Sequence, residues 1–143
     1  MIYTPLTMKA MILMFEGHKH QKDKSGVPYV FHPFHLAEQM DDEISCAAAL
    51  LHDLVEDTPC TLDDLRRAGF PEAVCEAVGL LTHPEGMPYM DYIRRLKGNP
   101  IAVTVKLADL RHNSDTARLL NPTEADEARI RKYQQAMALL LEP

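Results

Sequence analysis

The sequence predicts an all-α protein, and three observations lead to this fold class. Apolar residues such as Leu6, Met11 and Met14 recur at helical spacing in the first segment, and later segments repeat the pattern. Residues that favour helix starts, such as Thr61 and Pro71, stand before these periodic runs. One β-branched run, IAVTV at 101–105, has strand character, but no second strand is available to pair with it. A helix is therefore the better interpretation there as well.

The predicted helices follow one another along the whole chain. In order, they are expected at 4–17, 33–40, 43–57, 61–69, 71–83, 89–98, 99–115 and 121–143. Thr58-Pro59 should end the third, because the residue before a proline avoids the helical region. Gly69 should end the fourth. Residues 21–31 read as a polar loop, and no repeat or linker divides the chain, so we expect one domain over residues 1–143.

Composition limits the classes of function. A net charge of −6 argues against a broad nucleic-acid interface, which would need a basic surface. There is no signal peptide, and no apolar run approaches the 18 residues of a membrane span. Three cysteines without paired spacing suggest reduced thiols. We therefore expect a cytoplasmic protein that contacts neither nucleic acid nor membrane, and the Met-rich first helix suggests a homodimer contact.

The segment AAALLHDLVEDT carries the strongest chemical signal. His52, Asp53, Glu56 and Asp57 interrupt an apolar helical stretch at offsets of one, four and five, so they should share one side of a helix. Burying such groups without partners costs roughly 2–7 kcal/mol each. A bound cation with a polar substrate beside it would remove this cost. The alternative is an ordinary solvated face, against which the flanking alanines and leucines argue.

Two other fragments complete a family resemblance. His32 precedes Pro33 in SGVPYVFHP, and Asp109 lies in VKLADLRHN. With HDLVED between them and the HxxQ pattern of His18 and Gln21, these motifs resemble the HD-domain metal-dependent phosphohydrolases. The closest likeness is to the hydrolase domain of RelA/SpoT-type alarmone enzymes and their small Mesh-type relatives. The resemblance implies an orthogonal bundle of helices, the HD-domain fold, around one divalent metal.

The resemblance also assigns roles to individual residues. It implies four metal ligands: His32, His52, Asp53 and Asp109. Manganese is the usual metal of the alarmone hydrolases, while a mixed N/O donor set also suits Fe, Co or Zn. It further implies that Glu56 and Asp57 orient and deprotonate an attacking water. The alternatives are that Asp109 is only an ion-pair partner of Lys106, three residues away, and that Glu56 and Asp57 form a solvated acidic helix end.

Substrate contacts are expected from five residues: Asn113, Lys22, Lys24, Lys106 and His18. Asn113 resembles the family asparagine near the sugar and phosphate, although a helix cap is the alternative. His18 is as well explained by a structural role, and Lys22 and Lys24 by a solvated loop. His35, one turn after His32, could compete as a ligand.

The chain departs from the family at one position. Asp23 stands where the alarmone hydrolases usually carry an arginine that stacks on guanine, and this stacking is lost unless Lys22 or Lys24 replaces the arginine. Alternatively, Tyr89 or Tyr92 could stack on the base. The resemblance implies a hydrolase that removes the 3′-pyrophosphate of (p)ppGpp to give GDP or GTP. The alternatives are hydrolysis of another nucleotide or cofactor phosphate, and a nucleotide sensor with little turnover.

Overall fold

The computed structural model covers residues 1–143 and is helical, which confirms the predicted fold class. The α-helices are α1 (Pro5–His18), α2 (Phe31–Glu38), α3 (Glu43–Leu51), α4 (Leu54–Asp57), α5 (Leu62–Arg67), α6 (Glu72–Leu81), α7 (Tyr89–Leu96), α8 (Pro100–Asn113) and α9 (Glu124–Leu141). A 3₁₀ turn at Thr116–Arg118 lies in the connection from α8 to α9. The β-type pairing in the chain is a single isolated bridge between Lys22 and Pro28.

Side-chain caps explain where several helices begin. Thr4, Thr61 and Thr123 each form a capping box with the residue three positions later. Asn99 accepts a hydrogen bond from the backbone N–H of Ala102, which starts α8 at the predicted position and makes IAVTV helical. These local signals are visible in the sequence, and for that reason most helix starts were predictable.

Helix α3 forms the centre of the fold. It packs against α1, α2, α6 and α8. Residues 45–51 of α3 are all buried, and Ala47, Ala48 and Ala49 are fully so. A helix buried on every side needs an apolar surface all round, and the small alanines let neighbouring helices approach closely. The end of α3 therefore lies deep in the protein, where it delivers His52.

The structure corrects two predicted boundaries. The single helix expected over 43–57 is broken at His52 and Asp53, so that α3 ends and the short α4 begins there. The His52 side chain bonds to the carbonyl of Ala49 at 2.7 Å and competes for an acceptor in the last turn of α3, which favours the break. Helix α2 starts at Phe31 rather than Pro33, so His32 lies inside its first turn.

The N-terminal cap of α3 offers a test of how this helix is held. The Asp42 carboxylate accepts a hydrogen bond from the backbone N–H of Ser45 at 2.8 Å. We expect Asp42→Ala to lower the free energy of unfolding by about 1 kcal/mol, because one buried helix-end donor loses its partner. Asp42→Asn keeps an acceptor oxygen and should cost less. Urea unfolding of the three proteins measures this, and equal midpoints would contradict it.

The surface of α1 carries exposed apolar side chains. Met8, Ile12 and Phe15 are each exposed by 51% or more, whereas Met14 is buried in the core. The predicted homodimer stays a prediction. None of the helices combines the length and the apolar character that a membrane-spanning segment requires.

Candidate metal centre and adjoining cavities

The four predicted metal ligands meet at one place in the structure. His32 comes from α2, His52 and Asp53 from the break between α3 and α4, and Asp109 from α8. Nε2 of His32 lies 2.9 Å from Oδ1 of Asp109. Nε2 of His52 lies 3.1 Å from Oδ2 of Asp53 and 3.7 Å from Oδ1 of Asp109. Fragments up to 77 residues apart in the sequence thus form one cluster of imidazole nitrogens and carboxylate oxygens.

The chemistry of this cluster fits a divalent cation. His32, His52 and Asp109 are each 5% exposed or less, and their ligand atoms lie within 4.8 Å of one another. Nε2 of His52 is buried, and its polar neighbours are the carboxylate oxygens of Asp53 and Asp109. A coordinated cation would bind this nitrogen together with those oxygens. Two imidazoles with two carboxylates are a donor set suited to Mn, Fe, Co or Zn.

Both imidazole rings are held with Nε2 facing the centre. Nδ1 of His52 donates to the Ala49 carbonyl at 2.7 Å, and Nδ1 of His32 lies 2.7 Å from Nδ1 of His112. The planes of the two rings differ by only 5° and their centroids lie 5.0 Å apart, so the rings meet edge to edge across this contact. Burial, the Arg118 guanidinium and His32 lower the pKa of His112 to about 4, so a neutral His112 can accept the His32 proton. Such Nδ1 contacts leave Nε2 free to bind a metal.

Asp109 takes part in an ion pair as well as in the centre. Its Oδ2 accepts a hydrogen bond from the Lys106 ammonium at 2.9 Å, while its Oδ1 accepts one from the Asn113 amide at 2.9 Å and faces His32. Burial alone would raise the pKa of Asp109, but the Lys106 charge and the contact with His32 hold it well below the usual range. The ion pair and the ligand role thus use different oxygens and are compatible.

Asp53 is held as a carboxylate by neighbours on two sides. The hydroxyl of Tyr29 donates to Asp53 Oδ2. Burial disfavours the charge, but the adjacent His52 imidazolium outweighs it and lowers the pKa of Asp53 to about 2. Although burial works against its charge too, Asp53 and Asp109 raise the pKa of His52. In the metal-free protein His52 therefore carries a proton that a bound cation would replace.

Glu56 and Asp57 lie beside the centre on the solvent side. A carboxylate oxygen from each lies within 4.8 Å of one from Asp53. Oε1 of Glu56 accepts a hydrogen bond from the backbone N–H of His83 at 2.7 Å, which ties α4 to the connection between α6 and α7. Burial, then the charges of Asp53 and Glu56, raise the pKa of Asp57 to about 6. A carboxylate with this pKa suits the acceptance of a proton near neutral pH.

The raised pKa of Asp57 predicts a pH dependence of stability. The pKa rises from an ordinary 3.8 to about 6 on folding, so the folded state holds this proton more tightly than the unfolded state. The contribution is full below pH 3.8 and is lost as the pH rises through 6. In the metal-free protein, the free energy of unfolding should therefore decline between pH 3.8 and about 6. We expect Asp57→Asn to make this decline smaller, as measured by urea unfolding at a series of pH values. Identical pH profiles for the two proteins would contradict the assignment.

One cavity opens from the centre, and a second adjoins it. The first, of about 210 Å³, contains Asp53, Glu56, Asp57 and Asp109 in its wall, and we call it the carboxylate cavity. The second, of about 320 Å³, contains Lys22, Lys24, Arg118 and Arg129, and we call it the basic cavity. Asn113 and Tyr133 line both. A chain of anionic groups could thus extend from the metal centre into a region that supplies positive charge.

Four of the five predicted substrate contacts line these cavities. Lys22 and Lys24 line the basic cavity, and Asn113 stands where the two cavities join. Lys106 lines the carboxylate cavity, but its ammonium is bonded to Asp109 and its side chain is only 12% exposed. The positive charge of Lys106 is therefore already paired with Asp109.

His18 lies outside both cavities, and its role as a substrate contact stays a prediction. Its side chain is fully buried, its Nδ1 lies 2.7 Å from Oε1 of Gln21, and its ring packs 5.1 Å from that of Tyr29. It lines neither cavity, as a structural histidine would not. Tyr92 lines the carboxylate cavity, but it is only 2% exposed and its hydroxyl donates to the Leu81 carbonyl, so little of its ring is accessible to a base. Tyr89 lines the same cavity.

Other residues near the centre were missed from the sequence: Tyr29, His83, His112 and Arg118. Tyr29 lies three residues before His32, and His112 three residues after Asp109, so helical spacing offered a weak signal for both. His83 and Arg118 come from connections between helices and had none. His35, the competing ligand, lies outside the centre with its ring 4.2 Å from that of His112.

Comparison with known proteins places this fold and centre in a family. No protein-family model matches the chain. A mouse protein named guanosine-3′,5′-bis(diphosphate) 3′-pyrophosphohydrolase MESH1 is 34% identical over 134 residues, which cover 83% of this chain and 74% of the mouse protein. Human MESH1 is 33% identical over 135 residues, with the same coverage of 83% and 74%. The bifunctional (p)ppGpp synthase/hydrolase SpoT of Escherichia coli is 31% identical over 129 residues, but these are only 18% of SpoT.

A solved structure shares the fold. It belongs to a metazoan ortholog of SpoT that hydrolyses ppGpp, and it matches with a TM-score of 0.78 and 24% identity, over 99% of this chain and 88% of that one. The helical bundle and its His/Asp centre define a hydrolase of the HD type. Within that class, the chain belongs to the family of RelA/SpoT- and MESH1-type hydrolases.

Proposed function

We propose that this chain is a Mn²⁺-dependent hydrolase that removes the 3′-pyrophosphate of (p)ppGpp, giving GDP or GTP and pyrophosphate. The observation that carries the proposal is the spatial order of three features. A buried His/Asp centre lies next to a pair of carboxylates, and a basic cavity begins beyond them at Asn113. The substrate follows from the names of the MESH1 relatives. His32, His52, Asp53 and Asp109 would hold the metal.

The reaction is the attack of water on the phosphorus bonded to the ribose 3′-oxygen. The bond between phosphorus and that oxygen breaks, pyrophosphate leaves, and the 3′-oxygen gains a proton. The divalent metal supplies Lewis acidity, which lowers the pKa of water and offsets phosphoryl charge. Glu56 and Asp57 orient the water and take up its proton. The hydrogen bond from His83 N–H fixes one oxygen of Glu56, so its other oxygen is available for the water.

The remaining residues hold the substrate. Asn113 lies where the ribose would pass between the cavities. Lys22 and Lys24 provide positive charge for the phosphates at the far end of the nucleotide. Local cations can outweigh the net charge of −6, because a cleft concentrates the field of the groups that line it. Tyr29 keeps Asp53 oriented through its hydroxyl.

The same proposal covers the setting in which the protein works. We place it in the cytoplasm as one hydrolase domain over residues 1–143. Its nucleotide substrate would be found there, and Cys46, Cys60 and Cys75 are all free thiols, as in a reducing compartment.

The test is product analysis on a panel of nucleotides with the Mn²⁺-loaded protein. We expect ppGpp to yield GDP and pyrophosphate in equal amounts, and chelation of the metal to stop the reaction. Turnover of another nucleotide or cofactor phosphate, but not of ppGpp, would overturn the substrate and leave hydrolysis standing. Tight ppGpp binding without any product would favour a sensor.

A further inference from the structure

The basic cavity holds more paired charge than free charge. Its wall contains four cationic side chains, Lys22, Lys24, Arg118 and Arg129, and two carboxylates, Asp23 and Asp115, while a third carboxylate, Asp126, lies against Lys24. Lys24 lies 3.3 Å from Asp126, and Arg129 is bonded to the same carboxylate. Three of the four cations therefore already have an anionic partner, which reduces the positive charge that the cavity offers to a phosphate.

Arg118 is held against Asp23 from several sides. Its guanidinium donates to the His112 carbonyl at 2.8 Å and to Oδ1 of Asn113 at 3.1 Å, and another of its nitrogens lies 3.6 Å from Oδ2 of Asp23. The hydroxyl of Ser25 donates to the carbonyl of Arg118 at 2.7 Å. These contacts fix the connection between α8 and α9 on the loop that carries Asp23.

Asp23 is itself fixed by its other oxygen. Oδ1 accepts hydrogen bonds from the backbone N–H groups of Ser25 at 2.9 Å and Val27 at 3.0 Å, so only Oδ2 faces Arg118. Both side chains are less than a quarter exposed, at 20% and 24%, so solvent screens their interaction only in part. The two oxygens of the Asp23 carboxylate thus have different roles: Oδ1 holds the backbone of its own loop, and Oδ2 pairs with the Arg118 guanidinium.

We propose that Asp23 is a specificity-determining residue that limits how much phosphate the basic cavity accepts. The inference rests on the proposed function, which puts the 3′-pyrophosphate in the carboxylate cavity and the 5′-phosphates in the basic cavity. With Arg118 already paired, each additional 5′-phosphate meets little uncompensated positive charge. The protein therefore prefers a guanosine 3′-diphosphate with fewer phosphates at its 5′ end.

The decisive variant is Asp23→Asn. The amide keeps an oxygen for the N–H groups of Ser25 and Val27 but removes the charge that faces Arg118. Hydrolysis is measured on three substrates with a 3′-diphosphate and a mono-, di- or triphosphate at the 5′ end. We expect KM of the wild type to rise along this series. We expect Asp23→Asn to lower KM about five- to tenfold for the 5′-triphosphate and least for the 5′-monophosphate. This is the size of effect expected when one partly screened charge interaction is removed. The effect should fall on KM rather than on kcat.

Three further measurements separate the explanations. Asp63→Asn removes a carboxylate from an exposed pair with Arg66 (3.1 Å) and should leave the series unchanged. In an Arg118→Met background, Asp23→Asn should no longer lower KM, because its partner is gone. The same gain in both backgrounds, or an equal change for all three substrates, would overturn the proposal. If no substrate is hydrolysed, the proposed function fails, and calorimetric binding of GMP, GDP and GTP to wild type and Asp23→Asn still decides the charge preference.

Discussion

Asp109→Asn is expected to lower the free energy of unfolding by about 3–5 kcal/mol, because it leaves a buried charge without its partner. Lys106, with a side chain only 12% exposed, lies 2.9 Å from Asp109 Oδ2 and would lose its counter-charge. The same change removes a carboxylate that faces His32 and His52, so we also expect binding of Mn²⁺ and turnover to be lost. Urea unfolding and calorimetric titration with Mn²⁺ measure the two effects separately.

A second variant separates the two roles of Asp109. Lys106→Met removes the buried cation, so the double variant Asp109→Asn with Lys106→Met should regain much of the lost stability. It should not regain Mn²⁺ binding, because the ligand oxygen is still missing. Wild-type Mn²⁺ affinity in Asp109→Asn would show that Asp109 serves only as the partner of Lys106, the alternative that the sequence alone left open.

Most of the fold was predictable because its signals are local. Thr61 and Asn99 mark helix starts through side-chain bonds to the next turn, and Gly69 ends a helix with a left-handed backbone at φ +90°. The break at His52 was not predictable, since it depends on a ring that bonds back to Ala49 inside a packed core. The 3₁₀ turn at Thr116–Arg118 has no periodic pattern and was missed for that reason.

The candidate site likewise contains residues that the sequence predicts and residues that it does not. The family resemblance implied His32, His52, Asp53 and Asp109 as ligands, and the structure brings these four side chains together. The groups that orient them could not be predicted, because they arrive through tertiary packing. His112 reaches His32 only because α2 and α8 pack together, and His83 reaches Glu56 only because the α6–α7 connection lies over α4. The burial of His18 could not be predicted either, because its position in a motif says nothing about packing.

These supporting contacts explain why neighbouring carboxylates in the site have different pKa values. Asp53 and Asp109 face cationic neighbours that keep their pKa values low, so they stay charged and suit metal binding. Asp57 faces other carboxylates, and burial together with their charges raises its pKa to about 6. Residues four positions apart in one short segment thus acquire different chemistry from their surroundings.

Glu56→Gln is expected to leave Mn²⁺ bound while lowering kcat about 10²- to 10⁴-fold, the usual contribution of a positioned general base. The amide oxygen of glutamine can still accept the hydrogen bond from the backbone N–H of His83, so the position of α4 should not change. What is lost is the ability to take up a proton from water. Product release from ppGpp at saturating Mn²⁺ measures kcat, and calorimetry measures the metal affinity.

The control is Glu16→Gln, which makes the same chemical change at an exposed residue of α1 paired with Lys19. It should leave both kcat and Mn²⁺ affinity unchanged. Asp57→Asn, tested in parallel, should also retain the metal and lose activity, because the two carboxylates share the task of orienting and deprotonating the water. Wild-type kcat in Glu56→Gln would show that Asp57 alone activates the water, and weakened Mn²⁺ binding would place Glu56 among the ligands instead.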